Sequence, residues 1–144
     1  MNKKIVIKNI FKHYNSRKEQ LILTNILLLE HKNRQLLRET EVEYGSDNGL
    51  ETNIGLKIQR LSKKKQRLER LIGLRSLLLE QLEPSERELI IMRFEFGMRV
   101  NSILSELYFS ESTYYRKMNI IFQKLTNYLN IFEDLFNRDR KKDK

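Results

Sequence analysis

The chain has 144 residues, enough for one domain or for a small domain with a helical extension, and it can bury only a modest core. Its 28 Lys and Arg against 19 Asp and Glu leave a net charge of +9, an excess that attracts phosphate polyanions or anionic membrane surfaces. The absence of cysteine excludes disulfides and thiolate metal sites, and two histidines, His13 and His31, are too few for a histidine-rich zinc centre.

No apolar run approaches the roughly 18 residues that cross a bilayer; the longest sits in LILTNILLLE, residues 21–30. At the amino end Lys8 and Lys12 interrupt the apolar residues, so neither a signal peptide nor a membrane span is expected. The expectation is a soluble cytoplasmic protein without metal or cofactor. With 5 Gly and 1 Pro there is little to interrupt helix. Alternation of the strand kind is confined to KKIVIKNIF. The predicted fold is all-α: long antiparallel, coiled-coil-like helices followed by a small helix-turn-helix domain.

The first helical segment is predicted from about Asn2 to Thr40, with a break near Tyr14-Asn15-Ser16. Ser16 and Glu19 there have the spacing of a capping box. Ile22, Ile26, Leu29 and Leu36 then form one apolar stripe interrupted by Asn33, which either fixes register in a helix seam or marks the polar edge of the stripe. Gly45, Ser46, Asp47, Asn48 and Gly49 cluster as loop residues and set the best internal boundary, a loop near residues 41–53. Its carboxylates, Glu39, Glu41, Glu43, Asp47 and Glu51, read as a solvated acidic loop rather than a metal or acid–base site, because nothing supplies a nucleophile or fixes their geometry.

A long helix follows from about Thr52 to Leu82, with Ile54, Ile58, Leu61, Leu68, Ile72, Leu79 and Leu82 at steps of four and three and with Lys65 and Arg75 in the remaining seam positions. Such a stripe must pack against the first helix or against another chain, so residues 1–82 are assigned to oligomerisation or interaction. Between Lys57 and Arg75 stand eight Lys or Arg and one Glu, either a solvated face or an auxiliary phosphate-binding face.

After Leu82 the spacing shortens. Pro84 marks a helix start, and Ser85 with Glu88 repeats the capping-box spacing. This helix is expected to bury Leu89, Ile90 and Phe94 and to end at Gly97 in a left-handed cap. A second short helix presents Val100, Ile103, Leu104 and Leu107; Phe109 plugs the corner, and Ser110 caps a third helix. Three helices with a tight turn before the last make a helix-turn-helix whose final helix can enter the major groove. Tyr114, Met118, Ile121, Phe122 and Leu125 are expected in the core, which turns Glu111, Ser112, Tyr115, Arg116 and Asn119 outward beside a helix N-terminus that favours phosphate. Arg99 and Lys117 are placed for backbone contact. Residues 83–130 therefore form the predicted DNA-binding domain, and 131–144 a helix end with a solvated, disordered basic tail.

The stretch Leu82–Leu125, LEPSERELIIMRFEFGMRVNSILSELYFSESTYYRKMNIIFQKL, resembles region four of bacterial sigma factors: an acidic start, Leu-Ile and Arg-Phe pairs, a turn glycine and a serine-capped recognition helix ending in Lys-Leu. The order of elements over nearly the full chain resembles the ArpU and RinA type of phage and prophage transcription regulators of Gram-positive bacteria. The resemblance implies binding of promoter DNA, with Arg99 at a phosphate contact and Glu111, Ser112, Tyr115 and Arg116 at positions that read bases or flanking phosphates. Leu104 stands where the sigma pattern has a small residue, and Asn101-Ser102 replaces an acidic pair. Nothing upstream is similar to the sigma region that melts the promoter, so an activator is expected rather than a complete sigma factor.

The expected function is thus a sequence-specific double-stranded-DNA-binding regulator, not an enzyme, acting as a homo-oligomer with possible contact to host RNA polymerase. The competing expectation is an adaptor that binds an acidic protein through the basic helix. A nuclease would need clustered metal-binding carboxylates, and membrane association would run through IVIKNIFKHY.

Overall fold

The computed structural model describes the backbone of residues 2–41 and 48–142 and the side chains of residues 2–37 and 53–135. Among the described residues every regular element is helical. The all-α expectation holds, and no described helix is long and apolar enough to cross a membrane.

Helix α1 (Lys3–Lys12) is capped by Asn2, whose side-chain oxygen accepts from the Lys4 amide at 3.0 Å. It ends at His13, and α2 (Tyr14–Glu41) begins at the next residue. The break thus falls one residue before the expected one. Ser16 lies inside α2, where its hydroxyl accepts from the Gln20 side chain at 3.2 Å instead of capping, because the helix has already begun at Tyr14. Helix α3 (Asn48–Glu80) already includes the second half of the predicted loop. The remainder, residues 42–47, and the side chains of Glu39, Glu41, Glu43, Asp47 and Glu51 lie outside the described residues.

The chain divides into two compact units, residues 16–72 and residues 1–15 with 73–144. In the first, α2 buries Thr24 and Leu28 while α3 buries Ile54 and Leu68, with the predicted seam residues Ile58 and Leu61 half-buried. The Thr24 hydroxyl is satisfied by donating to the Gln20 carbonyl at 2.7 Å. Burial and then the charge of Arg67 hold the Arg17 guanidinium below its ordinary pKa. The predicted stripe of α2 faces outward: Ile22, Ile26, Leu29 and Leu36 are 56–63% exposed. Residues four or three apart share a helix face, so this stripe is opposite Thr24 and Leu28.

The second unit has one core. Ile7 and Phe11 of α1, Leu78 of α3 and Ile90 of α4 (Pro84–Ile90) are fully buried together with Ile103 of α5 (Val100–Leu107) and Ile121 and Leu125 of α6 (Glu111–Lys142). Residues 1–15, grouped by sequence with everything before residue 82, therefore belong to the core of the carboxyl-terminal helices. Leu78 fills the position expected of Leu79, which is only half-buried.

Two local predictions shift by a step. The α4 box is Glu83–Glu86, with the Glu83 amide donating to Glu86 Oε1 at 2.9 Å, rather than Ser85–Glu88. Pro84 occupies the first helical position, so the cap can only be the residue before it. Beyond Ile90 the helix widens into a π turn, Ile91–Glu95, closed by Phe96 N to Ile91 O at 3.0 Å. The extra residue slips the register, burying Met92 and leaving Phe94 half-buried. Gly97 then takes φ 68, the left-handed cap expected of it.

An interior ion pair ties the π turn to α3. Arg75 Nε donates to Glu95 Oε1 at 2.6 Å, with side chains only 13% and 6% exposed. The guanidinium also stacks on the Tyr14 ring, 3.7 Å from its centroid. At the other end α6 runs through Lys142, so the helix extends into the first part of the predicted tail. No Gly or Pro follows Glu111 to stop it.

Candidate nucleic-acid interface

The turn between α5 and α6 is built by three residues. Tyr108 adopts φ 57, ψ 40, a left-handed conformation rare outside glycine, and its side chain is 93% exposed. The Phe109 amide donates to the Leu104 carbonyl at 3.1 Å, and Phe109 packs half-buried against the core as the expected plug. Ser110 caps α6: its oxygen accepts from the Thr113 amide at 3.2 Å and its hydroxyl donates to Thr113 Oγ1 at 2.8 Å.

The first turns of α6 then separate cleanly into two faces. Tyr114, Met118, Ile121, Phe122 and Leu125 are buried, all five as the helical period requires. Glu111, Ser112, Tyr115, Arg116 and Asn119 are exposed together on the opposite side. The Tyr115 ring, half exposed, stands edge-on to Tyr114 with centroids 5.1 Å apart, so part of it is held by that contact while the rest stays open to solvent. Burial pushes the Tyr114 hydroxyl above its ordinary pKa, against the opposing charge and hydrogen bond of Arg93.

Beside this face lie cations that the spacing near residue 110 does not announce. Lys4 and Lys8, one turn apart on α1, both place their ammonium groups over the Phe122 ring, at 5.4 and 5.9 Å. Lys8 and Arg93 also lie 5.7 and 5.5 Å from the Phe94 ring, and Phe94 meets Phe122 edge to face at 5.7 Å. These residues line a shallow cavity of about 230 Å³ that reaches Tyr115 and Asn119. The lysines alternate with buried Ile7 and Phe11, the one sequence signal that α1 has a basic outer side and an apolar inner one. Only the tertiary fold joins that side to α6.

No family model matches the chain, no curated protein matches it in sequence, and no solved structure matches its fold.

The remaining predicted residues lie elsewhere. Lys117 sits off the exposed face, its amine 5.2 Å from the Phe109 ring and its charge contributing to the field at Glu86. Burial alone would raise the Glu86 carboxyl; the hydrogen bond from Lys124 at 2.8 Å, the Glu83 amide and the charges of Lys124 and Lys117 outweigh it and hold the pKa below its ordinary value. Arg99 is exposed at the N-cap of α5, about 12 Å along that helix from the turn. The Ser110 oxygen is occupied by its capping bonds. Among the described residues no three His, Cys, Asp or Glu gather as metal ligands.

Proposed function

We propose that the protein is a sequence-specific double-stranded-DNA-binding transcription regulator without enzymatic activity, which lays the start of α6 in the major groove. The observation that carries this role is the exposure of Tyr115 and Arg116 on a helix whose opposite face is buried, with Lys4 and Lys8 alongside. A rigid helix start of this kind holds a small set of side chains at base edges while flanking cations grip the phosphates. Arg116 can fork onto guanine O6 and N7, Asn119 can pair with adenine, and Glu111 can accept from cytosine N4. Lys4, Lys8 and Arg99 serve the backbone, and the exposed Tyr108 ring packs on sugar and phosphate at the turn. Lys117 contributes charge at longer range.

The resemblance of residues 82–125 to sigma region four, and of the element order to ArpU and RinA regulators, favours activation of phage or prophage genes. In that role the cytoplasmic homo-oligomer sets half-site spacing, and helices outside the DNA-binding module contact host polymerase. Fluorescence anisotropy on duplexes from the protein's own upstream region tests it. Tyr115→Ala with Arg116→Ala should weaken specific binding by about 1–3 kcal/mol per lost base contact, roughly 5- to 150-fold, with stability lowered only by the lost edge-on contact to Tyr114, about 0.5–1.5 kcal/mol. Unchanged affinity would remove the recognition surface. No duplex binding even at low salt would instead favour an adaptor that uses the exposed basic residues of α3, Lys57 to Arg70.

A further inference from the structure

We infer that the outer face of α2 is the seam of a parallel, in-register homodimer, in which Asn33 of one copy meets Asn33 of the other. The starting observation is that α2 is apolar on two opposite sides. One side carries buried Thr24 and Leu28, whereas Ile22, Leu23, Ile26, Leu29 and Leu36 are each more than half exposed on the other. Single exposed leucines are ordinary; five on one face mark an interaction surface.

The spacing names the occupant. Ile22, Ile26, Leu29, Asn33 and Leu36 follow steps of four, three, four and three, the heptad rhythm of a helix that meets another helix along its length. In that rhythm Ile26 and Asn33 take the a positions and Ile22, Leu29 and Leu36 the d positions. Isoleucine at a with leucine at d favours two parallel strands, and a lone asparagine at a fixes their register. The reason is chemical: a carboxamide has one acceptor and one donor group, and a second asparagine directly opposite satisfies both. Parallel chains in register set a against a, so Asn33 meets its own copy. Antiparallel chains set a against d, which would bury Asn33 against leucine or isoleucine and leave it unsatisfied.

The flanks agree with this pairing. The g residue Asn25 falls opposite the e residue Glu30 of the second copy, an amide donor facing a carboxylate, and no like charges are opposed there. Glu30 is already oriented by Arg34 of its own helix at 2.7 Å. Five side chains at this exposure offer on the order of 500 Å² per copy, so the pair buries about 1,000 Å², the lower end for a specific association. Two heptads, a seam of about 21 Å, would be marginal for an isolated helix, but α2 is braced from behind through Thr24 and Leu28.

This surface deepens the homo-oligomer named above, yet it does not depend on DNA binding. Sedimentation equilibrium of the full chain, without DNA, reads it separately. The wild type should be dimeric at tens of micromolar, and Leu29→Asp should weaken association at least 100-fold while helical content, and melting at a dilution where both proteins are monomeric, stay the same. Because the chain has no cysteine, Leu36→Cys gives a clean second readout: mild oxidation should link two identical chains rapidly. This second variant decides the matter if Leu29→Asp fails to fold. A wild type that stays monomeric to about 100 μM, above the range expected of such an interface, would overturn the inference. So would a dimer that survives Leu29→Asp. Cross-linking only in mixtures of Ile26→Cys with Leu36→Cys, an a position against a d position, would mean antiparallel pairing and would overturn it equally.

Discussion

Tyr108 combines two features that rarely coincide: a left-handed backbone at φ 57 and a ring that is 93% exposed. The conformation costs a residue with a β-carbon about 1–2 kcal/mol, which glycine does not pay. Tyr108→Gly should recover that strain, offset by about 0.5–1 kcal/mol of added unfolded-chain entropy. The exposed ring loses almost no burial. The net expectation is stabilisation of about 0.5–1 kcal/mol, seen as a higher urea midpoint at constant m-value and a melting temperature raised by about 1–4 °C. Tyr108→Ala keeps the strain and removes the ring, so its stability should match wild type. If strain is tolerated because the ring contacts DNA, both variants should lose duplex affinity by the same several-fold factor, although only one gains stability. Two results would refute this reasoning. Destabilisation by 1 kcal/mol or more in Tyr108→Gly would mean the ring is packed in solution. A gain in stability with affinity unchanged would separate the strained turn from DNA contact altogether.

Glu95→Ala should destabilise by about 2–4 kcal/mol in chemical denaturation, because it leaves the Arg75 guanidinium in a largely enclosed site without its carboxylate; Glu133→Ala, breaking the exposed Lys3 pair, should change stability by less than about 1 kcal/mol. The Glu86 carboxyl binds its proton less readily when folded than when unfolded. Its stabilisation is therefore present above the unfolded carboxylate range and is lost as pH falls through the folded pKa. Lys124→Met should flatten that acid limb between pH 7 and 3, by under about 1 kcal/mol because the Lys124 side chain is 42% exposed; an unaltered limb would show that the pair is broken in solution. Replacing Lys4 and Lys8 by glutamine should lower the slope of log affinity against log salt by about 1.8, at about 0.9 per lost phosphate contact. An unchanged slope would place α1 away from the DNA.

The faces of α6 were legible from spacing alone, since Tyr114, Met118, Ile121, Phe122 and Leu125 repeat at the helical period and leave Glu111, Ser112, Tyr115, Arg116 and Asn119 no other side. The caps at Ser110 and Gly97 were equally local, set by one hydroxyl and one missing β-carbon. What spacing could not supply was any relation between distant segments. Periodicity says that Ile7, Ile10 and Phe11 need cover but not which helix covers them, so sequence order alone groups α1 with its neighbours instead of with the core it fills. Spacing is silent on Lys4 and Lys8 for the same reason. The register slip of the π turn, which buries Met92 and meets Arg75 with Glu95, likewise arises only once α3 is in place to receive it. Chain-local chemistry determined where helices begin, which side of each is apolar and how much positive charge the protein carries. Tertiary packing decided which sides meet, because apolar attraction has no address and only the simultaneous fit of several helices selects among the partners that periodicity allows.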